Sequence, residues 1–205
     1  MKLKHLFGLK RKRGQSERQP IQFRAFPWLT DSSVDMIEAF IHRRHASGLP
    51  IRLLEFGAGA STIWFAKQSV DITTFEHDAE WQEAVVDEIR RSDLPVPDIR
   101  RYPRPYYCHI DRLPDAFFDI VLVDGRDRVE CTRRAMSKLA DGGLFVVDNT
   151  ERLEVAGSPG PYSEIADLLS EWNRTDCEQF GPDRTGWTAS HKPYDGRWMT
   201  TIWQR

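Results

Sequence analysis

The sequence predicts an α/β fold: a mostly parallel sheet, doubly wound by helices, with an antiparallel last strand. Three observations carry this. From residue 51 onward, short apolar runs alternate with helix-patterned segments, the signature of right-handed βαβ units. The first run ends in Leu54-Glu55-Phe56-Gly57-Ala58-Gly59-Ala60-Ser61-Thr62, a strand that stops at a glycine-rich turn and feeds a helix. The last two strand-like runs have no helix between them, and only antiparallel neighbours can do without a crossover.

Taken in order, Pro27-Trp28-Leu29-Thr30-Asp31 opens the domain. Thr30 or Asp31 can cap a helix to about residue 45, with Val34, Ile37, Phe40 and Ile41 on one face. Strands are predicted at 51–55, 71–76, 98–102, 117–123 and 144–147, with helices at about 60–68, 79–91 and 128–139. Asp141-Gly142-Gly143 reads as a turn before the fifth strand. A helix at 161–172, a strand at 177–180, a polar loop at 181–196 and a last strand at 198–203 complete seven strands. The run Phe117-Phe118-Asp119-Ile120-Val121-Leu122-Val123 is nearly all apolar, as suits a strand buried on both faces.

The chain has 205 residues, 40% hydrophobic and 29% charged, enough for one domain with a sizeable core. That domain is expected over residues 25–205. Residues 1–24 form a basic tail, with Lys2, Lys4, Lys10, Arg11, Lys12, Arg13, Arg18 and Arg24 against one acid, Glu17. Its apolar positions (Leu3, Leu6, Phe7 and Leu9) are too few and broken for a secretory leader. A weak contact with an anionic membrane surface or a polyanion is one reading of the tail; a solvated tail is preferred. The net charge of −2 argues against generic nucleic-acid binding. Cys108, Cys131 and Cys177 are odd in number and form no CxxC, so free, mostly buried thiols in a reducing, cytoplasmic setting are expected. No apolar run nears the ~20 residues of a membrane span.

In an open parallel sheet, ligands gather at the carboxyl ends of the strands. Those ends carry Glu55, Gly57 and Gly59, then Glu76, Asp124, and Asp148 with Asn149. Several acids on one rim suit recognition of hydroxyls, ammonium or metal. Glu76 lies 21 residues after Glu55 at the end of the second strand. A carboxylate there offers two acceptor oxygens to the hydroxyls of a ribose.

Four motifs in order resemble the class I S-adenosylmethionine-dependent methyltransferases. They are Glu-Phe-Gly-Ala-Gly-Ala-Ser at 55–61, Thr-Thr-Phe-Glu-His-Asp at 73–78, Phe-Asp-Ile-Val-Leu-Val-Asp-Gly at 118–125 and Gly-Gly-Leu-Phe-Val-Val-Asp-Asn at 142–149. The resemblance implies a Rossmann-like, seven-stranded sheet and S-adenosyl-L-methionine as cofactor. It further implies that Glu55, Gly57, Gly59, Ser61, Glu76 and Asp124 bind the cofactor. Gly57 and Gly59 would face its methionine part, Glu76 would hold the ribose, and Ser61 would cap the helix and bond the carboxylate. Adenine contacts are expected from residues 102–111, with Tyr106, Tyr107 and His109 as candidates.

Within that family, Asp124 with Asp148-Asn149 is similar to the metal-dependent catechol-type O-methyltransferases, which implies Mg²⁺ on those three residues. Two features depart from the subgroup. The expected Lys three residues after Asp124 is Asp127, flanked by Arg126 and Arg128, and the glycine loop is shorter. The Pro-Pro-Tyr type of motif that binds planar base amines is absent, since 124–127 read Asp-Gly-Arg-Asp.

The expected reaction is methyl transfer to oxygen on a small-molecule or saccharide acceptor, with nucleic acid not expected. Catalytic candidates are Asp124, and His191 and Lys192 in the last loop, which also holds Arg184, Trp187 and Tyr194. His109 is a further candidate base. A nicotinamide-dependent oxidoreductase is the alternative, weakened because the third glycine of GxGxxG would be Thr62. A non-catalytic nucleotide-binding module on the same fold is another.

Overall fold

The computed structural model describes residues 26–155, 157–186 and 196–205. The expected basic tail, and His191 and Lys192 in the last loop, lie outside the described residues.

Helix α1 (Asp31–Ala46) buries Val34, Ile37, Phe40 and Ile41, spaced at helical intervals. Its start is tied to the far end of the chain: the Thr30 N–H donates to Thr200 Oγ1 at 3.2 Å. Strand and helix then alternate as β1 (Arg52–Phe56), α2 (Ala60–Lys67), β2 (Asp71–Glu76) and α3 (Ala79–Arg91). Next come β3 (Asp98–Arg101), β4 (Phe118–Val123), α4 (Arg128–Ala135) and β5 (Leu139–Asp148). A short helix α5 (Ser163–Leu168) leads to β6 (Asn173–Phe180) and β7 (Arg197–Gln204).

The seven strands form one sheet in the order β3-β2-β1-β4-β5-β7-β6. β7 enters between β5 and β6 and is antiparallel to both, while β1 to β5 pair in parallel. This is the expected Rossmann-like architecture. The order reverses between β1 and β4, where such sheets open a crevice.

Strand residues alternate between two apolar layers. On one side Leu53, Ile72, Ile120, Leu122, Val146 and Ile202 pack with α1 and α2. On the other, Leu54, Phe75, Val121, Val123, Phe145 and Trp203 pack with α4, α5 and the 3₁₀ turn Tyr106–Arg112. Every residue of β4 is buried, as its apolar run required. Among the described residues no helix is long and apolar enough to cross a membrane.

Several boundaries differ from expectation. The predicted turn at Asp141-Gly142-Gly143 lies inside β5. There the register against β4 shifts, so that Phe118 faces Leu139 while Ile120 faces Leu144. Gly142 has φ +73°, and a Cβ on Gly143 would stand 2.7 Å from the Asp119 carbonyl, so the glycines make a bulge. Helix α4 stops at Ala135, and a 3₁₀ turn (Met136–Lys138) follows. Lys138 there turns inward, its Nζ donating to the Leu113 carbonyl at 3.0 Å and Asp115 at 2.6 Å. Helix α5 is shorter than its apolar pattern suggested, although Ile165 and Leu169 are buried as expected. Cys131 and Cys177 are buried, but Cys108 is exposed.

Asp119, 5% exposed, joins three elements at the amino end of the sheet. It accepts the Arg52 N–H at 2.9 Å and pairs with Arg44 near the end of α1. Asp119→Ala would orphan both donors and should lower unfolding stability by about 2 kcal/mol. The check is a denaturant titration in which the midpoint falls and the slope is unchanged.

Candidate functional site

The site begins with the turn after β1. Gly57 has φ +95°, and a Cβ there would lie 2.8 Å from the Gly125 Cα. The loops after β1 and β4 thus meet backbone to backbone, which only glycine permits. The Gly57 N–H donates to the Phe75 carbonyl at 2.9 Å, and the Asp124 N–H to the Phe56 carbonyl at 3.0 Å. Three strand ends are thereby held together.

Beneath this turn lies Glu55, fully buried. Its Oε1 accepts the Ser61 hydroxyl and its Oε2 the Thr62 hydroxyl, both at 2.6 Å. Thr62 Oγ1 in turn accepts the Gly59 N–H at 2.9 Å. Burial pushes the Glu55 carboxyl up to about 7, against the opposing pull of its hydroxyl partners. Two expectations are corrected here. Glu55 lies under the turn and does not line the cleft. Ser61 lines the cleft, but its hydroxyl is committed to Glu55, and Gly59 holds the N-cap position of α2.

Glu76 lines the cleft at the end of β2. Its Oε1 accepts the His77 and Asp78 N–H groups at 2.7 and 2.8 Å, and its Oε2 accepts the Ala58 N–H at 3.1 Å. The carboxylate is therefore held in one orientation by backbone donors from two loops. Asp78 caps α3 through the Trp81 N–H at 3.1 Å. The Trp81 indole N–H returns to the Ala58 carbonyl at 2.5 Å. Ala58 is thus pinned at its N–H by Glu76 and at its carbonyl by Trp81.

These groups line a cleft of about 510 Å³, within the usual range for a small-molecule site. Gly57, Gly59, Ser61, Glu76, Asp124, Asp148 and Asn149 all reach it. Sequence reasoning missed Trp28, Trp81, Arg128, Arg152 and Tyr162, which line it too. A signal existed for Arg128 alone, four residues after Asp124 at the start of a helix. Trp28 stands 6.3 Å from Trp81, ring centre to ring centre. Tyr162 lies between Arg128 and Arg152, with guanidinium carbons 5.6 and 5.9 Å from its ring.

The expected adenine loop does not contribute through His109. That ring stacks on Tyr102, 3.6 Å between centres and 10° from parallel, and lines no part of the cleft. Cleft residues next to Glu76 are instead His77, Asp78 and Trp81. Arg184, at the start of the last loop, is turned to α1, where it pairs with Asp31 and Asp35.

Asp124 is 23% exposed and reaches the cleft beside the more buried Asp148. Burial and the neighbouring Asp148 push the Asp124 carboxyl well above the ordinary range, against the pull of Arg128. Burial also raises Asp148, which accepts the Thr200 hydroxyl at 2.7 Å. The expected Mg²⁺ ligands fit a metal poorly. Arg128 Nη2 donates to Asp124 Oδ1 at 2.9 Å and to Asn149 Oδ1 at 3.1 Å, and Nη1 donates to the Asp148 carbonyl. Among the described residues no group of three His, Cys, Asp or Glu side chains forms a metal set.

No protein-family model matches this chain, and no curated protein matches its sequence. Solved structures do match its fold. The cofactor-bound protein Rv0187 from MTB is 20% identical over 86% of this chain and 81% of its own, with a TM-score of 0.61. A candidate O-methyltransferase from Klebsiella pneumoniae is 17% identical over 86% and 81%, with a TM-score of 0.60. The tRNA (m1A58) methyltransferase TrmI from Aquifex aeolicus is 14% identical over 84% and 68%, with a TM-score of 0.57. At these identities the likeness is one of fold: the chain has the Rossmann-like methyltransferase fold. A tRNA methyltransferase shares it, so the fold lends no support to the expectation that nucleic acid is excluded as acceptor.

Glu55 makes a pH prediction. Its carboxyl is raised from 4.5 unfolded to about 7 folded, so the folded state holds its proton longer. Below pH 4.5 this contributes nothing. Stability then falls as pH rises from 4.5 to 7, by about 3 kcal/mol in all, and is level above. Glu55→Gln cannot ionise and should lack this part of the decline. Urea unfolding of both proteins from pH 4.5 to 8 checks it; parallel curves contradict the assignment.

Proposed function

We propose that this chain transfers the methyl group of S-adenosylmethionine to an oxygen of a small-molecule or saccharide acceptor. The observation that carries the reading is Glu76: a carboxylate fixed by three backbone N–H groups at the cleft wall, beside the Gly57–Gly59 turn. Its Oε1 is already met by the His77 and Asp78 N–H groups, while Oε2, with one backbone donor, keeps acceptor capacity for a hydroxyl of a vicinal diol such as a ribose. The methyltransferase fold supports the same reading.

The cofactor, when bound, supplies a methyl group already activated on a sulfonium sulfur. The chain's part is to bind, align and exclude water. Gly57 and Gly59 let a ligand approach the backbone at the start of α2, where N–H groups favour a carboxylate. The acidic rim of Glu76 and Asp124 favours an ammonium group nearby. Trp28 and Trp81 form an aromatic wall that sheds water.

The acceptor oxygen must lose a proton as it takes the methyl carbon. Asp124 reaches the cleft, and its raised carboxyl makes it a stronger base than an ordinary aspartate once ionised. His191 and Lys192 keep their place as candidate bases on the last loop. Thr62 speaks against the nicotinamide alternative, since its hydroxyl is bound to Glu55 and Gly59, and a glycine there would lose both bonds.

Titration calorimetry with S-adenosylhomocysteine should show one site per chain. Glu76→Gln should weaken it by about tenfold or more through loss of charge-assisted hydrogen bonds. Unchanged affinity in the variant contradicts the role of Glu76. Binding of NADH with no binding of S-adenosylhomocysteine overturns the whole reading.

A further inference from the structure

The carboxyl ends of β4 and β5 hold a cation that belongs to the chain itself. Arg128 is 7% exposed. Its Nε donates to the Gly125 carbonyl at 3.1 Å, and its Nη1 donates to the Asp148 carbonyl. Its Nη2 reaches the Asp124 carbonyl at 3.2 Å, Asp124 Oδ1 at 2.9 Å and Asn149 Oδ1 at 3.1 Å. Asp148 Oδ2 stands 4.0 Å from Nη1. The ring of Tyr162 lies 5.6 Å from the guanidinium carbon.

Asp124, Asp148 and Asn149 therefore all send oxygen atoms toward one planar cation. A magnesium ion needs oxygens converging to about 2.0–2.1 Å with their lone pairs free. Here Asp124 Oδ1, Asn149 Oδ1 and the Asp148 carbonyl meet N–H groups of Arg128, and Asp148 Oδ1 is taken by the Thr200 hydroxyl. A second cation placed among them would also face the charge of Arg128 at close range, with little water to screen it. A guanidinium cannot be deprotonated in a protein, so this charge is permanent.

We infer that Arg128 is a resident cation standing where Asp124, Asp148 and Asn149 would otherwise hold a divalent ion. It is a positioning residue: it fixes the Asp124 carboxylate and the Asn149 amide at the cleft wall. The native chain has no divalent-cation site at these three residues. Removal of the guanidinium creates one, because the two carboxylates and the amide oxygen then face an uncompensated space. Metal-independent turnover follows only if the methyltransferase reading holds; the cation assignment itself does not depend on it.

The test is a titration of full-length protein with Mn²⁺, read as the free-ion electron paramagnetic resonance signal. Wild type should leave that signal unchanged. Folded Arg128→Ala should deplete it one ion per chain, and Arg128→Ala with Asp148→Asn should restore it. Guanidinium chloride at low concentration should raise the melting temperature of Arg128→Ala while leaving wild type unchanged or lower, which a purely structural loss would not produce. If Arg128→Ala does not fold, Arg128→Gln, similar in bulk but uncharged, replaces it. Depletion by wild type that Asp148→Asn abolishes overturns the inference, as does a folded variant that leaves the signal intact. S-adenosylhomocysteine calorimetry on the same samples separates the two readings: loss of that binding in wild type sinks the methyltransferase proposal and leaves the Mn²⁺ result standing.

Discussion

The cleft depends on the buried carboxyl of Glu55. An acid placed in the core loses its hydration and needs partners. Glu55 finds two, the hydroxyls of Ser61 and Thr62 in the first turn of α2. Thr62 passes the constraint on by accepting the Gly59 N–H. The start of α2 is thus fastened to the end of β1 from below. Ala58, fixed by Glu76 and Trp81, fastens it from the side. With both anchors in place, the backbone between Gly57 and Gly59 has one conformation to present.

Four acids at strand ends play different parts because their surroundings differ. Glu55 is sealed under the turn and holds hydroxyls. Glu76 accepts backbone N–H groups at both oxygens and lies against the His77 side chain, and its Oε2 keeps acceptor capacity toward the cleft. Burial and the neighbouring Asp148 raise the cost of ionising Asp124, burial raises it for Asp148, and Arg128 offsets both. Arg128 also binds the carbonyls of Asp124, Gly125 and Asp148. It therefore sutures the ends of β4 and β5, the two strands next to the crevice on its far side from Glu76.

Much of the fold was legible in the residues. The bounds of β2 and α3 match expectation, since alternation, an acid at the strand end and the Asp78 cap are all local signals. The antiparallel β7 followed from the missing crossover helix. The misreadings have a common cause. Gly142 and Gly143 look like a turn, but β5 continues through them because the Asp119 carbonyl approaches closely and the strand bulges to pass it. Ser61 looked free to meet a ligand, yet a partner six residues back claimed its hydroxyl. His109 looked available to a base and instead stacks on Tyr102.

By itself the sequence determined the strand and helix order, the glycine turn and the acid at the end of β2. These depend on periodicity, turn chemistry and capping, which act over a few residues. Only the tertiary structure decided which acids face the cleft and which lie beneath it. Only it brought Trp28, Trp81, Arg152 and Tyr162 to one cleft, and set Arg128 among Asp124, Asp148 and Asn149. Those outcomes rest on burial and on distances between residues far apart in the chain, and no spacing along the sequence records either.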